Sequence, residues 1–236
     1  MVLTWARWHP GLVRLHGDTP TVRGERDPWW HGVVLHVCEQ QKPVAEGRRV
    51  EFRETSIPGV VVFAPTPHSD ERGFFSRTFD AAVARRSGVD PDSFVQDSIS
   101  RSRLGVIRGL HTRIGRGEGK LVRCSWGAVF DVVVDLRPGS PAFGEWLSFD
   151  LDGESQVSVY IPAGCAHGFQ ALTDPADVAY RIDREHDPAE NLTIAHDDPG
   201  LAIPWPLAAS VLSESDRAAQ PMAALGDELR RIANSA

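Results

Sequence analysis

KLVRCSWGAVFDVVVDLRP, residues 120–138, is dense in Val and Phe and is punctuated by Gly127 and Pro138. Runs of that composition bounded by Gly, Pro, Asp and Ser read as strands. The same signature recurs on both sides, in VVVFAP (60–65), FVQDSIS (94–100), GVIRGLH (105–111), EWLSFDL (145–151), QVSVYIPAG (156–164), HGFQALT (167–173) and DVAYRID (177–183). Short strands at this spacing, without intervening helical patterns, predict a β-sandwich or barrel rather than βαβ units. Two segments read as helical. FDAAVARRSGV (79–89) has Asp80 to cap it and Gly88 to end it, and 213–236 follows Ser213, with Pro221 as a break.

Residues 1–50 differ. They hold Trp5, Trp8, Trp29 and Trp30 but no sustained periodicity of 3.6 or 2.0, and turn signals punctuate them. The expectation is an N-terminal extension (1–50) without regular structure, followed by one domain over 51–236. A sharper form of it places 1–49 outside the native protein, with Val50 as a GTG start. Intact mass of natively expressed protein tests this.

The chain has 236 residues, 42% of them apolar and 24% charged, an ordinary globular composition. No apolar stretch is long enough to span a membrane. A net charge of −7 disfavours nucleic acid as a partner, because such affinity comes from neutralising phosphates. Cys38, Cys124 and Cys165 are odd in number and widely spaced, which fits a reducing cytoplasm rather than a disulfide scaffold. Lys42 and Lys120 are the only lysines among 25 basic residues. Where arginine is the default, Lys120 is conspicuous.

Several positions could carry chemistry. His111 lies three residues after Arg108 in an apolar run; it is either a packed histidine or a base with a controlled tautomer. Lys120 at a strand start is either an edge-strand charge or a cation for a developing oxyanion or a phosphate. His167 follows a Pro/Gly turn. Tyr180 shares a face with Val178 and is either core or a proton donor. Trp205, between two prolines, reads as packing. A metal-binding cupin would need an H-x-H pair, a Glu and a distant His. Here His111-Thr112-Arg113, Glu118 and His167 would have to serve, and Arg113 cannot ligate.

Taken in order, FRETSIPGV (52–60), DERGFF (70–75), FVQDSISRSRLGVIRGLH (94–111), GKLVRC (119–124), GAVFDVVVDLRPGSPAFGEW (127–146), IPAGCAHGF (161–169), DDPGLAIPWP (197–206) and LSESD (212–216) resemble the dTDP-4-dehydrorhamnose 3,5-epimerases, the RmlC-type cupins. The resemblance covers about residues 52–222. It implies an all-β, cupin-type jelly roll with a few short helices, a homodimer that swaps strands, and no metal or organic cofactor. The implied substrate is a dTDP-4-keto-6-deoxyhexose, whose C4 ketone acidifies the hydrogens on C3 and C5. Carried over by position, His111 is the base, Asp216 its partner, Lys120 the enolate stabiliser and Tyr180, 13 residues after His167, the acid. Arg72, Phe75, Gln96, Ser98, Arg108, His167 and His186 fall at substrate-binding positions.

The departures cluster. Arg77 stands where the family commonly has Glu, Ser98 where it often has Asn, Thr112-Arg113 where Tyr-Gln is usual, His186 for a Tyr and Asn191 for a Glu. Several map to the end that holds the thymidine base, and they are either neutral drift with compensating contacts or altered nucleotide recognition. Comparing dTDP-, UDP- and GDP-linked ketosugars tests it. The expected activity is epimerisation at C3 and C5. The alternatives are C3-only epimerisation, a non-catalytic sugar-nucleotide binder and a metal-dependent cupin.

Overall fold

The computed structural model describes residues 50–232. The expectations about residues 1–49, including Cys38 and the four early tryptophans, lie outside the described residues.

Thirteen strands and three short α-helices are described. A six-stranded sheet has the order β1 (Val50–Glu54), β2 (Val61–Pro65), β10 (Ser158–Ile161), β7 (Lys120–Trp126), β12 (Ala176–Ile182), β5 (Gln96–Ser102). A five-stranded sheet has the order β13 (Asn191–Thr193), β6 (Ile107–Arg113), β11 (Cys165–Ala171), β8 (Ala128–Asp135), β9 (Trp146–Asp152). A separate hairpin pairs β3 (His68–Asp70) with β4 (Gly73–Phe75). Every pairing within the sheets is antiparallel. The fold is the all-β, two-sheet architecture that the strand spacing predicts.

The inner core lies between the sheets, where Val122, Cys124, Val159 and Val178 meet Val129, Val133, Leu147, Phe149 and Phe169. β8 explains why VFDVVVD is nearly continuous in apolar residues. Its Val129 and Val133 face the inner core, while Phe130, Val132 and Val134 face a second cluster behind the sheet. A strand buried on both faces loses its alternation. That second cluster is closed by the DDPGLAIPWP crossing and the C-terminal segment, through Leu201, Ile203, Met222, Leu225, Leu229 and Ile232. Trp205 packs edge-on against Phe130 at 5.8 Å and donates its indole N–H to the His196 carbonyl. It is a packing residue, as read from its two prolines.

Helix α1 (Ala81–Arg86) covers part of the outer face of the six-stranded sheet through Val83 and Ala84. The Asp80 carboxylate accepts from the N–H groups of Ala82 and Val83, the N-cap expected there. The segment expected to be helical on both sides of a break at Pro221 does break there, but each side is short: α2 (Glu214–Arg217) before it, and a 3-10 turn at Met222–Ala224 and α3 (Gly226–Leu229) after it. Pro221 cannot donate to a preceding carbonyl, so the helix cannot run through it.

Candidate active site

A cleft of about 500 Å³ opens between the two sheets. β6 contributes Arg108, His111 and Arg113, β11 contributes His167, and β7 and β12 contribute Lys120 and Tyr180.

Arg108 and His111 are three residues apart, so a regular strand would send them to opposite faces. The register shows why both reach the cleft. His111 pairs with His167 and Arg108 with Phe169, so three steps on β6 match two on β11. The extra residue is a bulge at Gly109, whose φ is +121°. A Cβ at Gly109 would lie 2.5 Å from the Gly168 Cα and 2.7 Å from the His167 carbonyl oxygen. Glycine at 109 therefore serves both the bulge and the close approach of two histidine-bearing strands.

His111 Nε2 lies 2.6 Å from the Asp216 carboxylate, which is 2% exposed. Ser213 caps α2 by accepting from the Asp216 N–H and so fixes where that carboxylate stands. Burial would push the Asp216 carboxyl up, but hydrogen bonding and charge from His111 outweigh it. With help from the Gly109 N–H, they hold it below the usual carboxylate range. A carboxylate at Nε2 fixes the neutral ring with its proton there, leaving Nδ1 as the basic atom.

A second pair sits beside it. His167 Nε2 lies 2.7 Å from the Asp131 carboxylate, which is fully buried. Tyr180 packs edge-on against His167 at 6.2 Å, and its hydroxyl is 3.1 Å from the Ser100 hydroxyl. Burial raises the Tyr180 phenol well above its ordinary value, so it is held protonated. Lys120 Nζ lies 3.0 Å from Glu118, whose other oxygen is 2.7 Å from Arg113 Nε. Arg108, Arg113 and Lys120 line the cleft with Glu118 as the one carboxylate among the lining residues, and their N–H donors suit an anionic ligand.

His111, Lys120, Tyr180, Ser98, Arg108, His167 and His186 all line this cleft, with Asp216 behind His111. Gln96 sits on β5 opposite Ile182 and does not line it. Arg72 and Phe75 do not either. They stand on the β3–β4 hairpin, with the Arg72 side chain 90% exposed and paired to Asp70. Among the departures from the family pattern, Ser98, Thr112, Arg113, His186 and Asn191 gather in the cleft. Arg77 lies elsewhere and pairs with Asp80.

Asp131 and Ser100 were missed from sequence. The signal for Asp131 was a carboxylate in the middle of VFDVVV (129–134), on the same face as Val129 and Val133. Glu118, weighed only as a metal ligand, is occupied by Arg113 and Lys120. No group of three or more His, Cys, Asp or Glu side chains among the described residues could hold a metal ion.

Comparison with known proteins bears on this cleft directly. The family model for dTDP-4-dehydrorhamnose 3,5-epimerase matches residues 54–224. The epimerase of that name from Pseudomonas aeruginosa is 45% identical over 163 residues, covering 69% of this chain and 90% of the relative. The crystal structure of the Legionella pneumophila enzyme in complex with dTDP-4-keto-L-rhamnose superposes with a TM-score of 0.71 at 42% identity, covering 76% of this chain and 96% of that one. A 3'-monoepimerase from Streptomyces bikiniensis, in complex with dTDP-quinovose, superposes with a TM-score of 0.70 at 35% identity, covering 75% and 90%. The matched span contains every strand but β1 and every residue named in the cleft, and on that ground the chain belongs to the dTDP-4-dehydrorhamnose 3,5-epimerase family.

Proposed function

We propose that the chain inverts C3 and C5 of a dTDP-4-keto-6-deoxyhexose by proton removal and return. The carrying observation is that His111 and Tyr180 belong to different sheets and line one cleft. Inversion requires a base on one face of the sugar and an acid on the other, and that arrangement supports both roles. His111 Nδ1 takes the C3 proton, the C–H electron pair moves into an enolate, and charge collects on the C4 oxygen. Asp216 stabilises the resulting imidazolium. Lys120 stabilises the enolate oxygen. Tyr180 returns a proton to the opposite face of the carbon, leaving a phenolate and an imidazolium; exchange with solvent resets both, and the same cycle then serves C5. Arg108 donates to Ser102 and to the Arg101 carbonyl, which anchors its guanidinium at the cleft for the diphosphate.

The Streptomyces relative favours a second reading, epimerisation at C3 alone, since both use the same base and enolate. Solvent deuterium incorporation into dTDP-4-keto-6-deoxyglucose, read by NMR, separates them. Label at C3 and C5 is the expected result. Label at C3 alone supports the monoepimerase, and label at neither overturns both.

We further propose that the active form is a homodimer in the cytoplasm, with Arg72 and Phe75 completing the partner's cleft. Edge strand β5 carries exposed Ile99, and Phe74, Phe75, Val95 and Trp126 add apolar surface on the hairpin and around the six-stranded sheet. An unpaired edge beside exposed apolar residues favours a second copy. Sedimentation at micromolar concentration tests it, and a monomer that is fully active sinks it.

A further inference from the structure

We infer that Arg113 is a positioning residue that governs both ends of the cleft, leaving a net positive charge at the Lys120 end and fixing the His186 ring at the other. The inference rests on the role proposed above for Lys120.

Arg113, Lys120 and Glu118 are almost fully buried, with side chains 6%, 7% and 10% exposed. One carboxylate is thus shared by two cations. Were Glu118 paired with Lys120 alone, the pair would be neutral and would offer little field to an oxyanion. With Arg113 on the second oxygen, the trio carries one net positive charge, and Lys120 stays anchored without being cancelled. Low local polarity strengthens the effect.

The rest of the Arg113 guanidinium looks the other way. It donates to the Glu185 carbonyl at 2.8 Å and to His186 Nδ1 at 3.2 Å. A ring nitrogen that accepts from a guanidinium carries no proton, so His186 keeps its proton on Nε2. The result is a flat ring of one tautomer at the cleft, able to stack on a base and donate one hydrogen bond. Neighbouring contacts make the hub stiff. Arg184 donates to the Gly117 carbonyl at 2.8 Å, and the Ile114 N–H donates to the Glu190 carbonyl at 2.9 Å, so the β6–β7 loop is tied to the segment that carries His186. A glutamine at position 113 would lack the charge and would offer two donors in place of five.

The test measures kcat and KM for C3 deuterium exchange, and dTDP affinity by calorimetry, in Arg113→Gln, Glu118→Gln and the double variant. Each single change should lower kcat by about tenfold, the coupling expected within one ion-pair network. The double variant, neutral at both positions, should return kcat to within about threefold of wild type. It should still bind dTDP as weakly as Arg113→Gln does, because His186 remains unheld. Additive losses in kcat, or unchanged kcat in all three, overturn the inference. Should a single variant fail to fold, Arg113→Lys and the double variant decide. The lysine keeps the charge but cannot reach all three partners, so it should weaken dTDP binding with kcat changed less than about threefold. A tenfold loss of kcat in either overturns the inference. Wild-type protein that exchanges no deuterium sinks the epimerase reading itself, whereas exchange with additive variants sinks only this inference.

Discussion

At the scale of single residues, the cleft holds two histidine–carboxylate pairs, and only one is placed as a base. The His111–Asp216 pair is half open, with the His111 side chain 46% exposed, whereas His167 and Asp131 are sealed at 5% and 0%. A base must meet its substrate, so His111→Ala should abolish deuterium exchange at C3, a loss of about 10³-fold or more. Asp216→Asn should retain part of it, falling about 10²-fold, because the amide still orients the ring but cannot balance imidazolium. Exchange at the wild-type rate in His111→Ala would sink the mechanism. The acid makes a separate claim. Tyr160 and Tyr180 are the only tyrosines in the chain. Burial, with the Asp183 carboxylate adding to it, pushes Tyr160 up to about 12, and burial pushes Tyr180 further still. Both folded values lie above the unfolded one near 10, so the native state holds its phenolic protons more tightly. That stability is fully present below about pH 10 and is lost as pH rises through the folded values. Ultraviolet titration of native protein should therefore show no phenolate below about pH 11. In a Tyr160→Phe variant, a phenol titrating near 10 would remove Tyr180 as a buried acid. His111, Lys120 and Tyr180 were legible because each is a polar residue within or bordering an apolar run, at a position the resemblance assigns. Asp131 was not, since an aspartate among valines looks the same whether its partner is a histidine or a turn.

At the scale of elements, the reactive geometry depends on one irregularity. The Gly109 bulge turns Arg108 to the same side as His111, and Gly109 and Gly168 let β6 and β11 approach. Gly109→Ala should displace one strand from the other, because its Cβ would meet backbone atoms that no side-chain rotation can move. The expected outcome is loss of exchange activity together with a lower melting temperature, whereas Gly226→Ala, with nothing near its Cβ, should leave both unchanged. A Gly109→Ala variant with wild-type activity and melting would refute the role of the bulge. Every strand-like run read from the sequence is a strand here, and α1 keeps its Asp80 cap. β3, β4 and β13 are three residues each, too short for alternation to register. The C-terminal segment misled for a different reason. Met222, Leu225, Leu229 and Ile232 do recur at helical spacing, and all four are buried. They are delivered by separate short turns, however, a 3-10 turn at Met222–Ala224 followed by α3, and the outer face of the five-stranded sheet supplies the packing. The bulge itself left no trace in periodicity, since a one-residue insertion opposite a glycine pair is a property of two strands together.

At the scale of the whole molecule, Arg72 poses the sharpest question. The resemblance assigns it to substrate binding, yet it lies on a hairpin whose two strands pair only with each other, and it does not line the cleft of its own chain. The two facts are reconciled if the hairpin serves a second copy, which would also cover Phe74 and Phe75, now 44% and 65% exposed. A closed two-fold pair would then hold two clefts, each built from one copy's sheets and the other copy's hairpin. This has a consequence that no monomer can share. Arg72→Ala and His111→Ala homodimers should each be weak at low substrate, one for want of binding and the other for want of a base. Unfolding the two together and refolding them yields mixed dimers. In half of all dimers, the Arg72→Ala copy supplies an intact His111 to a cleft that receives the intact hairpin of its partner. With random pairing about a quarter of wild-type activity should return, because one cleft in each mixed dimer is whole. If Arg72 instead acted within its own chain, every cleft in the mixture would carry one lesion, and refolding would restore nothing above the average of the parents. A native-mass measurement on the same sample fixes the fraction of mixed dimers. Failure of activity to rise with that fraction would therefore count against the shared cleft itself.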